Sequence, residues 1–272
     1  MKPTGYLALT LAAALAASPL AAAETWTPWA DLGKFKPDQK ALIDARTERN
    51  PGSKKEYEVQ LIAEGLGEAV NVDEYVVQIT KLPTGMSKDA FFKHVRVNLN
   101  DFLDQFVSTF GPYDTADRTD WNEGRDAQLG TIMVFGIALP VLGTDDGAVV
   151  VSQTKNFQWT FSPVKDGFFG SFGTHPVAGN RQFGLREVAG RYEFYTRAFD
   201  RVYPTEVDPF EEEAFKGADD LWKSLQNKLV AYVNKNGGTA TALTPTVPGG
   251  NDPDKKPQYS DVCKDATLNL KC

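Results

Sequence analysis

Apolar side chains set the first divisions of the chain. From Ser87 onward Phe91, Val95, Leu99, Phe102, Phe106 and Phe110 recur at steps of three and four, the spacing that aligns side chains on one helix face. Ser87 is placed to cap this helix, and Asp89 lies in its first turn, where free backbone N–H groups favour a carboxylate. The pattern predicts one long amphipathic helix reaching Phe110. A second stripe runs through Phe210, Ala214, Ala218, Leu221, Trp222, Leu225, Leu229, Tyr232 and Val233. Its start is marked by Asp208 as N-cap, Pro209 in the first helical position and Glu211 three residues after the cap, with Glu212 and Glu213 adding first-turn charge. Asn236-Gly237 stops it. A shorter helix is expected over 38–49, ended by Asn50-Pro51-Gly52.

Between these helices the pattern is that of strands. Residues 56–63 alternate in part, and 75–80 are rich in β-branched and aromatic residues. Residues 131–139 and 148–151 are continuous apolar runs, which predict strands buried on both faces. The intervening 143–147 reads as a turn, with Asp145 and Asp146 as turn residues and not a catalytic pair. Residues 157–161 alternate and reach a turn at 163–167. The stretches His175–Gly184 and Phe194–Arg201 form a hairpin joined at Ala189-Gly190, in which Arg197, Phe199 and Arg201 share one strand face and Ala198 and Asp200 the other. The segment from Phe110 to Gly130 is polar, with Asp114, Asp117, Asp120, Asn122, Glu123 and Asp126. Calcium uses such oxygen ligands, but the EF-hand order is absent, and a solvated loop is expected. Beyond Gly238 threonine, proline and glycine predict a linker. The order of elements describes an α+β domain in which an antiparallel sheet packs against a long C-terminal amphipathic helix.

The N-terminus changes the picture of where the chain lives. Lys2, an apolar run from Gly5 to Ala17, and Ala21-Ala22-Ala23 before Glu24 are the three parts of a secretory signal. A retained membrane anchor is the alternative; the alanine-rich run and small-residue site favour cleavage after Ala23. The organisation expected is therefore a signal peptide over 1–23, one α+β domain over 24–238, and a linker and disulfide-closed tail over 239–272, in a secreted or periplasmic protein that meets the export machinery. Cys263 and Cys272 are the only cysteines of the 272 residues, and an oxidising compartment predicts that they pair. The net charge of −7 argues against nucleic acid or an anionic membrane as the main partner. The 42% hydrophobic content suffices for a sizeable core.

Candidate chemistry is sparse. There is no Gly-x-Ser-x-Gly elbow, zinc-ligand spacing, P-loop or dinucleotide fingerprint, so neither a metal nor a cofactor is expected. Of the two histidines, His94 lies beside a helical stripe and reads as structural or surface. His175 shares its hairpin with Arg181, Arg197, Arg201 and Asp200. Arginine forks bind carboxylate or phosphate in a two-pronged fashion, whereas the plainer reading is an ion pair across the hairpin. The crowded aromatics Phe157, Trp159, Phe161, Phe168, Phe169 and Phe172 fill a core or line a pocket, with Trp159 the candidate pocket residue.

The helix, antiparallel strands and final helix of about 130–236 resemble the helix-grip domains of the START-like superfamily. Such domains commonly enclose an apolar ligand between sheet and final helix, so the resemblance implies a binding cavity. The stretches HPVAGNRQFG and FYTRAFDR, with Leu221–Gln226, also resemble exported bacterial proteins of unknown function. The expected function is non-enzymatic binding of a small apolar or amphipathic molecule by Arg181, Arg197, Arg201, His175 and Trp159. The alternatives are a secreted hydrolase or toxin using His175 with a nearby acid, and an envelope interaction module whose tail makes the contact.

Overall fold

The structure, a computed structural model, describes residues 27–53, 55–139, 143–166, 173–203, 211–265 and 270. The proposed signal, the Asp208-Pro209 cap, Phe168, Phe169, Phe172 and Cys272 lie outside these. In chain order the elements are α1 (Thr27–Lys34), α2 (Gln39–Arg49), β1 (Glu58–Val59), β2 (Val70–Lys81), α3 (Lys88–Val97), β3 (Ser108–Pro112), α4 (Thr115–Asn122) and β4 (Ile132–Leu139). They continue with β5 (Gly143–Lys155), β6 (Gln158–Lys165), β7 (Val177–Val188), β8 (Arg191–Val202), α5 (Glu211–Lys235), β9 (Thr239–Ala242) and α6 (Tyr259–Val262).

The strands form one antiparallel sheet in the order β3-β4-β5-β6-β7-β8-β2-β9, with β1 paired to the far end of β6. On its inner face Tyr75, Val77 and Ile79 of β2, Trp159 of β6, Phe183 of β7 and Phe194 of β8 meet Leu221, Trp222, Leu225, Leu229 and Val233 of α5. Trp159 stacks on Phe183 at 5.0 Å between ring centroids, and Phe183 meets the edge of Trp222 at 5.6 Å. The opposite face carries a smaller cluster in which Val70, Val72 and Phe199 pack against Trp29 and Leu32 of α1 and Val262 of α6. This is the α+β, helix-grip arrangement: a sheet wrapped around one long C-terminal helix. The β7–β8 hairpin turns at Ala189 and Gly190, both at positive φ, the two-residue geometry whose twist matches that of its strands.

Five expectations need correction. The helix from Ser87 does not reach Phe110. It ends at Val97, where Asn98 turns its side-chain amide back to the His94 carbonyl at 2.8 Å. Asn100 then accepts the N–H of Phe110 at 2.8 Å and Asp104 that of Phe106 at 3.0 Å, so local side chains outcompete helical bonding. Phe110 belongs to β3, and Phe106 is 95% exposed.

The acidic segment is not a solvated loop. Asp114 caps α4, and the buried Asp117 takes Arg46 Nε and Nη2 on its two oxygens, each at 2.9 Å. Asp120 takes Arg49 Nη2 at 2.8 Å. These acids therefore clamp α4 to α2; burial raises the Asp117 carboxyl to about 6 despite Arg46. Among the described residues no group of acids or histidines is arranged to hold a metal.

Residues 143–147 are the start of β5 and not a turn, with Asp145 opposite Ile137 and Asp146 opposite Gly136. Similarly, β6 continues through Pro163 to Lys165. Finally, the expected linker is part of the domain. β9 adds to the edge of β2, covering backbone groups that an open edge would leave unpaired. Further on, Val70 N–H donates to the Pro257 carbonyl at 2.8 Å, and Lys256 and Val262 are buried.

Candidate ligand cavity

The cavity arises where β6 and β7 part company. They pair only from Gln158–Gly184 to Phe161–Arg181; beyond that, β1 takes the free edge of β6, and Gln60 bridges the gap. Its amide donates to the carbonyls of His175 at 2.9 Å and Val177 at 3.0 Å, while its oxygen accepts the His175 N–H at 2.9 Å. The His-Pro turn is thereby fixed from outside its own hairpin. Gly179, at φ +133°, is required here, because a Cβ would lie 2.3 Å from the Phe199 carbonyl oxygen. Gly147 makes room for the His175 ring, which a Cβ would approach to 2.6 Å.

Between this splayed end and α5 lies a cavity of about 140 Å³. Val149, Phe161 and Phe183 line it from the sheet and Ala214, Ala218, Leu221 and Trp222 from the helix, with His175 beside Gly147 of β5 and with Asn71, Asp200 and Arg181 of the adjoining strands β2, β8 and β7 at one end. That end is a buried polar cluster. Arg181 Nη2 donates to Asp73 Oδ2 at 2.6 Å, Asn71 Nδ2 donates to the same oxygen at 3.0 Å, and Lys256 Nζ donates to Asn71 Oδ1 at 3.0 Å. The Arg181 guanidinium also lies 4.3 Å over the Trp222 ring. Asp73 Oδ1 is buried with no hydrogen-bond partner among the described residues. Burial raises the Asp200 carboxyl to about 7, with Arg181 the largest opposing influence.

His175 is buried, which lowers its pKa to about 4. Its Nδ1 accepts the Val177 N–H at 3.2 Å, so the neutral ring carries its proton on Nε2. Among the described residues nothing accepts that proton, and no carboxylate hydrogen-bonds the ring. The geometry supplies a lone donor at the cavity wall and shows no acid poised to orient a general base.

Of the residues singled out from sequence, Arg181 and His175 both line the cavity. Arg197 and Arg201 are on the opposite face of the sheet. Arg201 is buried there, donating to the carbonyls of Gly67 at 2.7 Å and Ile62 at 3.1 Å beneath Tyr259, and it serves the fold. Trp159 is fully buried in the aromatic core and does not line the cavity. His94 stacks on Tyr232 at 4.7 Å, a packing role. Sequence reasoning missed Asn71, Asp73 and Lys256. The first two share strand parity with Tyr75, Val77 and Ile79, a signal that polar residues continue the inward face; Lys256 carries no such signal.

No protein-family model and no curated protein matches the chain. Among solved structures, protein Ms6760 from Mycobacterium smegmatis is similar over 65% of this chain and 98% of that one, at 10% identity and a TM-score of 0.37. Ara h 8.0201 is similar over 60% and 99%, at 11% identity and a TM-score of 0.34. The sheet and the long C-terminal helix themselves define the fold.

Proposed function

We propose that the protein is an exported, non-enzymatic carrier or sensor of a small molecule that is apolar over most of its surface and bears one polar group. The observation behind this reading is the cavity's division into apolar walls and a few polar groups, Asn71, Arg181 and Asp200 at one end and an unmet donor, His175 Nε2, apart from them. Buried polar groups without partners are costly, and a ligand hydroxyl, as acceptor of the His175 Nε2 proton, is the group that answers this one. At about 140 Å³ the space matches the roughly 150 Å³ apolar cavity that accommodates benzene. The class proposed is a single-ring or short branched alcohol or phenol.

Thermal denaturation with phenol, benzyl alcohol and toluene tests this. Hydroxylated rings should raise the melting temperature more than toluene does, since a ligand at 100 times its Kd stabilises by about 2.7 kcal/mol. Equal effects would remove the role of the His175 donor, and no effect from any of the three would refute the carrier reading. Export is supported by the pattern of residues 1–23 and by two cysteines near the C-terminus. Amino-terminal sequencing of secreted protein should begin at Glu24, and intact mass with and without alkylation should show Cys263 and Cys272 joined. A chain beginning at Met1 with two free thiols would contradict export.

A further inference from the structure

A second concave site lies on the other side of the sheet. Strand pairing lines up a polar row at directly opposed positions: Gln153 of β5 faces Thr160 of β6, Thr160 faces Gln182 of β7, and Gln182 faces Arg197 of β8. On this face the row is flanked by Phe199 and Val72, which α1 covers, but α1 stops short of the row itself. Asp31, Lys34 and Phe35 instead form one wall of a groove of about 400 Å³, with the row, Lys155 and Gln158 as its floor. That volume falls in the range of small-molecule sites, roughly 300–1,000 Å³.

The floor holds hydrogen-bonding capacity in a set orientation. Gln182 Oε1 accepts from both Arg197 Nε at 3.0 Å and Tyr195 Oη at 3.1 Å. This assigns the amide oxygen toward the cation and fixes the guanidinium plane. Among the described residues the two Arg197 Nη groups and Gln182 Nε2 have no hydrogen-bond partner, and the buried Thr160 hydroxyl has none either. The Tyr195 ring lies flat over Gly184, where a Cβ would come within 2.5 Å of its oxygen, and Arg197 lies 5.2 Å from the ring centroid. Lys34, Lys155 and Arg197 outnumber Asp31 in the lining, so the groove is locally cationic in a chain of net charge −7. A surface arginine that only faces water does not need a buried glutamine and tyrosine to hold its fork in place.

We propose that this groove binds a small hydroxylated anion, with a carboxylate or phosphate on the Arg197 fork beside Lys155 and hydroxyl groups along Gln153, Thr160 and Gln182. Planar guanidinium forks suit both anions, and the amide and hydroxyl row suits the vicinal hydroxyls of a sugar acid or a sugar phosphate. The site is separated from the α5 cavity by the sheet and does not depend on the function proposed for that cavity.

Calorimetric titration of the full chain with glucuronate, glucose 6-phosphate and glucose tests this, backed by amide chemical-shift mapping. One or both anions should bind, shifting Thr160, Gln182 and Arg197, and glucose should bind at least tenfold more weakly; the stronger anion identifies the head group. R197Q should weaken anion binding tenfold or more, and Thr160→Val about threefold, with raised salt weakening it further. If R197Q does not fold, Lys155→Gln, a change at an exposed side chain, should still weaken binding several-fold. Glucose binding as tightly as the anions, shifts elsewhere, or unchanged affinity in the folded variants would overturn the proposal.

Discussion

The two faces of the β7–β8 hairpin use the same residue type for opposite ends. On the inner face Arg181 is desolvated, paired with Asp73 and stacked on Trp222. On the outer face Arg197 keeps its Nη groups unpaired in an open groove, one strand position across from Gln182. Strand alternation separates Asp200 from Arg197 and Arg201 in both the sequence and the structure. What alternation cannot say is which face becomes the cavity. That is decided by the covering element: α5 lies on one side and the shorter α1 on the other. An arginine's role here follows from what lies over its strand face, and only secondarily from its neighbours in the chain.

Arg181→Ala should break the inner face most severely. It strands the buried Asp73 without its cation, and removing one partner of a buried pair costs about 3–5 kcal/mol. Denaturant unfolding checks this; a loss below about 1 kcal/mol would mean that Lys256 and Asn71 suffice for Asp73.

The pH dependence of Asp200 sharpens the contrast. Its folded pKa is raised from 3.8 to about 7. Between those values the unfolded chain has released the proton and the folded chain has not, so this group's contribution is full below about pH 4 and is lost as pH rises toward 7. Relative to wild type, Asp200→Asn should gain stability across that window, by as much as about 4 kcal/mol. A difference curve that is flat would place Asp200 in a solvated setting and contradict the dry polar end of the cavity.

Arg201→Ala removes two charge-assisted bonds to buried carbonyls and should cost about 1.5–3 kcal/mol, with ligand binding at the cavity intact. Arg197→Ala should change stability least, by under about 1 kcal/mol, because its fork is open to solvent on the groove side. If Arg197→Ala unfolds the protein while Arg201→Ala does not, the division of roles on the outer face is reversed.

The long helix α5 and the β7–β8 hairpin were legible because their signals are local: a stripe at helical spacing, and a turn at Ala189-Gly190. The acids of α4 were not, since Asp117 and Asp120 are explained by Arg46 and Arg49, each 71 positions away in the sequence. Thr239–Ala242 and Lys256 were misread for a related reason. A short Thr-Ala strand and a turn-rich segment look like a linker until the open edge of β2 is there to receive them. Phe106 and Phe110 continue a helical spacing by coincidence, and Asn98, Asn100 and Asp104 end the helix before they are reached. At the site itself, the hairpin named Arg181 and His175, but the cavity's remaining polar groups come from β2 and the tail.

The central claim, that the space beneath α5 is a ligand site, is tested most directly by filling it. Ala218 faces that space from the helix, and Ala218→Trp places an indole where a ring-sized ligand would sit. Titration of the folded variant with the tightest-binding phenol or benzyl alcohol should show binding abolished, with anion binding at the outer groove unchanged. Retention of wild-type affinity for the aromatic alcohol in a folded Ala218→Trp protein would contradict the assignment of this cavity.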